Sequence, residues 1–393
     1  MSAIHLEKLT SKKQRYYHKL RYPNPHKTNL PKEEVKTAPK KCYKKQRLTV
    51  FTAHLKTNML TDQSPFKEGQ KPMANIALLG CGMWGRNIAR NLSSLSVLSA
   101  VCDSDDARAA SFADQFDTDA RSFDDILDDE TINGVMLATV AHSHKDLAIK
   151  ALQAGKHVYI EKPMALTFAD ANAIHETALE TGNHVMVGHL IRYHPAFIAL
   201  QQQIASGAIG KVRHIGANRL AMGRIRNTES VLFDLCPHDL SLILALADDE
   251  PQTVICHGVS HITKGVVDIL STGLGFKGGL SANMQTSWLS PYKEHRLTVT
   301  GETGSLVFDD TKPWNEKLVL CQDSITQAGS LFVIERASPL ALPVPESEPL
   351  KDEMRAFIAL CDEAIMPPTD SAEALRVQKV LEEMQKQLVD FNG

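Results

Sequence analysis

The chain has 393 residues, 43% of them hydrophobic and 23% charged, which is two or three domains' worth of sequence and enough for a large core. No apolar run approaches the ~20 residues that a membrane-spanning helix requires, and seven cysteines with no C-x-x-C pair argue against a zinc site or a disulfide framework. The net charge of −3 hides an asymmetry, because residues 1–72 hold 17 Lys and Arg against 5 Asp and Glu and the remainder is acidic.

Residues 1–72 are poor in aliphatic side chains, carry scattered prolines from Pro23 to Pro72, and show no sustained period. They read as a basic, disordered extension. Such arms can bind nucleic acid or an anionic surface. A solvated arm with no catalytic role is the preferred reading, so nucleic acid is not expected as a partner. Glu7, Glu33 and Glu34 and the lack of an Arg-rich amphipathic helix speak against a targeting peptide. Met73 stands directly before the first strand, where the working protein is expected to begin.

Ala74–Leu79 is a short apolar strand that empties into Gly80-Cys81-Gly82-Met83-Trp84-Gly85. In this G-x-G-x-x-G turn Gly80 allows the tight bend and Gly82 lets the backbone approach a pyrophosphate. Gly85 lets the helix pack close to the strand. The motif alone is weak, but Ile88 and Leu92 follow at helical spacing and a second strand, Val97–Cys102, ends at Asp103. That acid lies where a ribose-binding carboxylate is expected, and it repels a 2′-phosphate. The nearest following cation is Arg108, so NAD is favoured over NADP.

The alternation continues. Gly134–Thr139 reads as a buried strand, a helix through Leu147 and Leu152 follows, and His157–Ile160 is the next strand. Thr167 with Asp170 resembles an N-terminal cap. Ala171, Ile174 and Ala178 line the helix after it, and Val185–Gly188 is again a strand. Beyond about residue 210 the texture changes. Leu280–Trp288 alternates apolar and polar residues, as a sheet with one covered face does. His295–Thr300 and Ser305–Phe308 form a hairpin, Ser338–Pro349 is a proline-rich linker, and Val377–Leu388 is an amphipathic helix. The expected fold is α/β: an N-terminal Rossmann domain, a doubly wound parallel sheet, over 73–195. An α+β part with a large, mostly antiparallel sheet follows over 196–345, and C-terminal helices over 346–393 pack back on the core.

Lys162, in Glu161-Lys162-Pro163, follows a strand of the parallel sheet and so points into the cofactor crevice. Its ammonium can bond a substrate hydroxyl and stabilise the oxyanion formed on oxidation. A surface lysine in a loop is the plain alternative. Asp234-Leu235-Cys236-Pro237-His238-Asp239 introduces a helical run. His238 is the general-base candidate, since an imidazole titrates near ~6.5, and Asp234 could orient it or share its proton. An acid and a histidine that merely cap a helix are the structural alternative.

Together these residues resemble the Gfo/Idh/MocA oxidoreductases. The matching pieces are Gly80–Gly85, Thr139 with His144, Ala154–Pro163 and Asp234–Asp239, in the family's order over about residues 73–390. Val140 departs from the proline usual there. The resemblance implies a cofactor site of Gly80, Gly82, Met83, Trp84, Gly85, Asp103, Thr139, His144, Glu161 and Lys162, with no metal. It implies Lys162, His238 and Asp234 as catalytic. Gly188–Pro195, Asn218–Arg226 and Trp288–Arg296 further resemble bacterial UDP-N-acetylglucosamine 3-dehydrogenases. That narrower likeness implies Arg192, Tyr193, Arg219, Arg224, Arg226 and Asp239 at the substrate. Three of these arginines (219, 224 and 226) could clamp a diphosphate, or could belong to a solvated, oligomer-facing strand.

The implied activity is NAD-dependent oxidation of a sugar or sugar nucleotide, in the cytoplasm, by a homodimer or homotetramer. A downstream aminotransferase would use the 3-keto product. Inositol or a free aldose is the alternative substrate, and a non-catalytic NAD-sensing regulator is the alternative role. Retention of both Lys162 and His238 argues against the regulator.

Overall fold

A computed structural model describes residues 73–391 except 224 and 228, leaving aside the side chains of 389–391. The basic extension 1–72 and Arg224 therefore lie outside the described residues.

Six strands alternate with helices along the first half: β1 (Ile76–Leu79), α1 (Met83–Ser94), β2 (Leu98–Cys102), α2 (Asp106–Phe116), β3 (Asp119–Ala120), α3 (Phe123–Asp128), β4 (Gly134–Leu137), α4 (His144–Gln153), β5 (His157–Ile160), α5 (Phe168–Thr181) and β6 (Val185–Val187). All pair in parallel, in the order β3-β2-β1-β4-β5-β6. Strands β1 and β4 are buried at every position, because helices cover both faces of a parallel sheet. The Thr167 side chain accepts from the Asp170 N–H and caps α5 as the sequence predicts. Strand order reverses at β1, so the crevice for a ligand opens at the carboxyl ends of β1 and β4.

A 3-10 turn, Leu190–Tyr193, leads out of the parallel sheet. The second layer system comprises α6 (Pro195–Ala205), β7 (Val212–Met222), α7 (Val231–Asp234), α8 (Cys236–Ala247), β8 (Thr253–Val259), β9 (Ile269–Gly275), β10 (Ser281–Ser287), β11 (Leu289–Gly301), β12 (Ser305–Asp309), β13 (Leu318–Cys321), a separate hairpin of β14 (Ser324–Ala328) and β15 (Leu331–Glu335), and β16 (Leu340–Ala341). The eight-stranded sheet runs β16-β13-β12-β11-β7-β10-β9-β8, antiparallel except for β7 beside β10. In β10 Ala282 and Met284 face the core while Asn283 and Gln285 face outward, the alternation expected of it. The expected linker Ser338–Pro349 is corrected in part: Leu340 and Ala341 pair with β13 at the sheet edge. Prolines 339 and 343 flank that pair, and a proline has no N–H to offer a further strand.

Two helices close the chain, α9 (Pro349–Glu363) and α10 (Ser371–Phe391). Met354, Phe357 and Ile358 of α9 pack with Ile76, Leu78, Met136 and Tyr159 of the parallel sheet. Val377, Val380, Leu381, Met384 and Leu388 of α10 pack instead beneath the antiparallel sheet. The C-terminal segment thus ties both sheets together. Each fully buried aliphatic side chain there contributes about 1.5–3 kcal/mol.

Candidate active site

The Gly-rich turn is built as the sequence requires. Gly80 has φ +102°, and a Cβ there would lie 2.6 Å from the Ala138 carbonyl oxygen. A Cβ on Gly85 would lie 1.9 Å from the Gly80 oxygen, so the first turn of α1 sits directly on the strand end. A Cβ on Gly82 would meet nothing within 4 Å, so its space is open on the crevice side. Gly82 is the N-cap of α1 and gives no side-chain cap. The first N–H groups of the helix therefore remain available to a phosphate. Met83 and Trp84 flank this point and are exposed.

Asp103 stands at the end of β2 and accepts from the Cys81 N–H at 2.7 Å and the Asp105 N–H at 3.0 Å. Burial works to raise its carboxyl, but those N–H groups and Arg108 outweigh burial and hold it below the usual carboxylate range. Arg108, which the sequence offers only as the nearest cation, lies on the Asp103 carboxylate at 3.1 Å. A cavity of about 500 Å³ adjoins the turn, lined among others by Gly82, Arg86, Arg108 and Ser111. The open Gly82, the uncapped helix and the charged Asp103 fit a dinucleotide.

The other cofactor residues divide. Thr139 lies against the turn, its N 3.0 Å from a Cβ placed on Gly80. His144 is buried, with Nδ1 3.0 Å from the Pro163 oxygen and Nε2 3.2 Å from the Thr139 oxygen. It lies between the loops after β4 and β5, and a neutral imidazole donates its single N–H to one of these two carbonyls. Glu161 likewise turns to the protein. Its Oε1 accepts from Trp84 Nε1 at 2.5 Å and from the Tyr159 hydroxyl at 2.8 Å.

Lys162 follows β5, and its peptide to Pro163 is cis. Its Nζ donates to the Asp234 backbone oxygen at 2.6 Å and lies 3.4 Å from Asp234 Oδ1. That carbonyl is free because α7 ends at Asp234, and the last carbonyls of a helix have no intrahelical partner. The expected helical run lies in α8, and the short α7 precedes it across a break at Leu235.

Asp234 does not orient the imidazole, a second correction. Its carboxylate accepts from Arg226 at 2.9 Å and Trp288 Nε1 at 3.0 Å in addition to Lys162. Nor does it cap α8, which has no side-chain cap. His238, on the first turn of α8, keeps a buried Nδ1 with no partner among the described residues. Burial first, then the charges of Lys162 and Arg219, hold its imidazole well below the ordinary histidine value. His238 is therefore neutral at neutral pH, the form that can accept a proton.

The expected substrate residues are mostly engaged elsewhere. Arg219 is buried and bonds Asp239 through Nε at 3.1 Å and Nη2 at 2.7 Å. This bidentate pair occupies the Arg219 guanidinium, one of the three expected in a diphosphate clamp. Arg192 is turned towards the Ser241 oxygen and Glu373. The Tyr193 hydroxyl bonds Thr369 at 2.8 Å. Both sit in the 3-10 turn where the chain crosses beneath α9 and α10, and that tertiary packing turns them inward. Arg226 keeps a partly exposed guanidinium, on Asp234 and Glu229.

Trp288 and His189 make contacts that their sequence segments do not mark. Trp288 ends an alternating strand and holds Asp234, and no local pattern marks that contact. His189 Nδ1 lies 2.8 Å from Glu373 Oε2, across 184 residues of sequence.

Residues 74–189 match an oxidoreductase family with an NAD-binding Rossmann fold, and residues 197–307 match the C-terminal domain of the same family. The chain belongs to the GFO/IDH/MocA family. It is an NAD-dependent oxidoreductase acting on CH–OH groups. The scyllo-inositol 2-dehydrogenase (NAD(+)) of Bacillus subtilis is 30% identical over 246 residues, 58% of this chain and 72% of that protein. The UDP-N-acetylglucosamine 3-dehydrogenase of Acidithiobacillus ferrooxidans is 33% identical over 211 residues, 53% of this chain and 66% of that protein. The solved structure of the latter enzyme superposes with a TM-score of 0.71 at 25% identity, covering 81% of this chain and 99% of that one. These GFO/IDH/MocA likenesses extend over both sheets, with Lys162 just after β5 of the first and His238 on α8.

Proposed function

We propose that this GFO/IDH/MocA chain oxidises a secondary hydroxyl of a sugar nucleotide, with C3 of UDP-N-acetylglucosamine as the first candidate. The observation that carries the reading is Lys162 fixed on Asp234 beside a neutral His238. Bound NAD supplies the acceptor for the hydride that leaves the carbinol carbon. His238 takes the hydroxyl proton as general base, a role worth ~10²–10⁴-fold in rate. Lys162 donates to the same oxygen and stabilises the negative charge that builds there. Asp234 holds the ammonium in place, and Trp288 and Arg226 hold Asp234.

The sugar-nucleotide part is supported by the likeness to the Acidithiobacillus enzyme and by the exposed Arg226. A 3-keto product would suit an aminotransferase as the next enzyme, and the polar face of the large sheet offers a surface for a second copy. One observation favours a smaller polyol such as an inositol: Arg219 is locked on Asp239, which leaves the diphosphate clamp one arginine short.

The test is NADH formation by the full chain with UDP-N-acetylglucosamine, other UDP sugars, free aldoses and inositols. Turnover with the UDP sugar and none with inositols supports the proposal. Turnover confined to inositols or free sugars overturns it.

A further inference from the structure

Tyr159, fully buried on β5, sits between two acids. Its hydroxyl lies 2.8 Å from Glu161 Oε1 and 3.1 Å from Glu353 Oε2. Glu353, on α9, is 0% exposed, and its Oε1 has no partner among the described residues. Glu161 has further donors: Trp84 Nε1 at 2.5 Å, and the Lys162 N–H 3.2 Å from Oε2. The space is reserved for this group, since a Cβ on Gly188 would lie 2.6 Å from the Tyr159 hydroxyl and 3.1 Å from the Glu161 carboxyl carbon.

A phenol has one proton and can donate to only one of the two acids. Were both acids ionised, one would face a phenol lone pair, buried and without a cation. An uncompensated buried charge is costly, and such groups take up a proton instead. Burial raises the Glu161 carboxyl too, but the Trp84 and Tyr159 donors, the Lys162 charge and the Lys162 N–H act against it, so Glu161 is the better-supplied acceptor and keeps the charge. Glu353 has Tyr159 alone. Burial, and then the Glu161 charge, push the Glu353 carboxyl well above its ordinary value.

We propose that Glu353 is a positioning residue: as a neutral acid it donates to Tyr159, which donates to Glu161, which fixes Trp84 at the Gly-rich turn. The hydrogen bonds run from α9 to the first turn of α1, converging on Glu161 as the common acceptor, and join Trp84 to Glu353 across 269 residues of sequence. They give Glu161 a structural task at the cofactor loop and align the backbone that carries Lys162. The inference rests on the turn being the dinucleotide site and not on the identity of the substrate.

The test compares the full-length wild type with Glu353→Gln, which keeps a neutral donor, and Glu353→Met, which fills the space without one. NAD affinity is read by direct titration, and kcat at saturating NAD beside it. Glu353→Met is expected to weaken NAD binding by up to about tenfold, the upper end for one buried neutral hydrogen bond, and Glu353→Gln to bind within about 3-fold of wild type. Turnover at saturating NAD falls less than NAD affinity does. Wild-type infrared spectra are expected to show a protonated-carboxyl C=O band that shifts in D₂O and is missing from both variants. Equal NAD affinity in Glu353→Met, equally weak binding in Glu353→Gln, or a wild type without that band would each overturn the proposal. If Glu353→Met fails to fold, Glu353→Gln and the infrared comparison decide. A wild type that binds no NAD overturns the cofactor reading itself, while the infrared band is read independently of it.

Discussion

Lys162 Nζ lies 2.6 Å from the backbone oxygen of Asp234 and 3.4 Å from its Oδ1, so one residue holds the ammonium by two oxygens. The same carboxylate accepts from Arg226 and Trp288. Exchange of Asp234 for Asn keeps the backbone oxygen and removes the charge. Asp234→Asn is expected to lower kcat by about tenfold and leave NAD affinity unchanged, since the lost hydrogen bonds to a charged group are worth roughly 1.5–3 kcal/mol each and are shared among three donors. Steady-state kinetics with direct NAD titration checks this. Loss of NAD binding would show that Asp234 supports the fold of the cofactor site instead.

Gly82 and Gly85 separate cofactor approach from packing. A Cβ at 82 meets no protein atom, whereas one at 85 collides with the Gly80 oxygen. Gly82→Ala should unfold at the wild-type temperature and bind NAD more weakly. Gly85→Ala should lose about 3 kcal/mol or more of stability, the upper end for overpacking against a rigid backbone. Thermal melts with and without NAD distinguish the two. A stable Gly85→Ala would contradict the close contact.

Arg108 on the Asp103 carboxylate makes the ribose end of the site a balance of charges. Asp103→Ser removes the acceptor for the ribose hydroxyls and frees the guanidinium. The expected outcome is an NAD KM raised about tenfold and a narrowed preference for NAD over NADP, since a free arginine suits a 2′-phosphate. Kinetics with each dinucleotide reads it. An unchanged preference would mean that Asp103 does not meet the ribose.

Burial holds four histidines below the ordinary value: His238, His144 and His157, and His295 at about 4, where Arg219 and Lys293 add to burial. Unfolded, they take up protons as pH falls through 6.5; folded, they do so only at lower pH. In that window the unfolded state binds more protons, so stability is full above about pH 7 and declines as pH falls towards about 4. Calorimetry across the window should show Tm falling with acidification. A Tm that rises there would contradict the neutral, buried imidazoles. Activity should follow His238, with the acid limb of kcat/KM lying below the ordinary histidine value.

Much of the first sheet was legible because its signals are local. The glycines, Asp103 at the end of β2 and Lys162 just after β5 each lie within a short window of sequence. The same holds for β10, whose alternation is read residue by residue. What escaped was set by tertiary contact. Arg219 and Asp239 each look available in sequence, but they lie on β7 and α8 and close on each other. Arg192 and Tyr193 read as substrate residues, yet α9 and α10 return from the chain's end to cover them. Asp234 sits four residues from His238, and helical spacing favours that pairing. The break at Leu235 instead points its carbonyl at Lys162, and its carboxylate bonds Lys162 as well.

The most direct test of the account follows the hydrogen itself. UDP-N-acetylglucosamine deuterated at C3 is turned over with NAD, and the reduced cofactor is analysed by mass spectrometry, in the wild type and in His238→Ala. Deuterium is expected in the reduced nicotinamide, with a slower reaction than with the unlabelled substrate and a turnover lower by ~10²–10⁴-fold in His238→Ala. Reduced cofactor without deuterium, or equal turnover in His238→Ala, would contradict this mechanism.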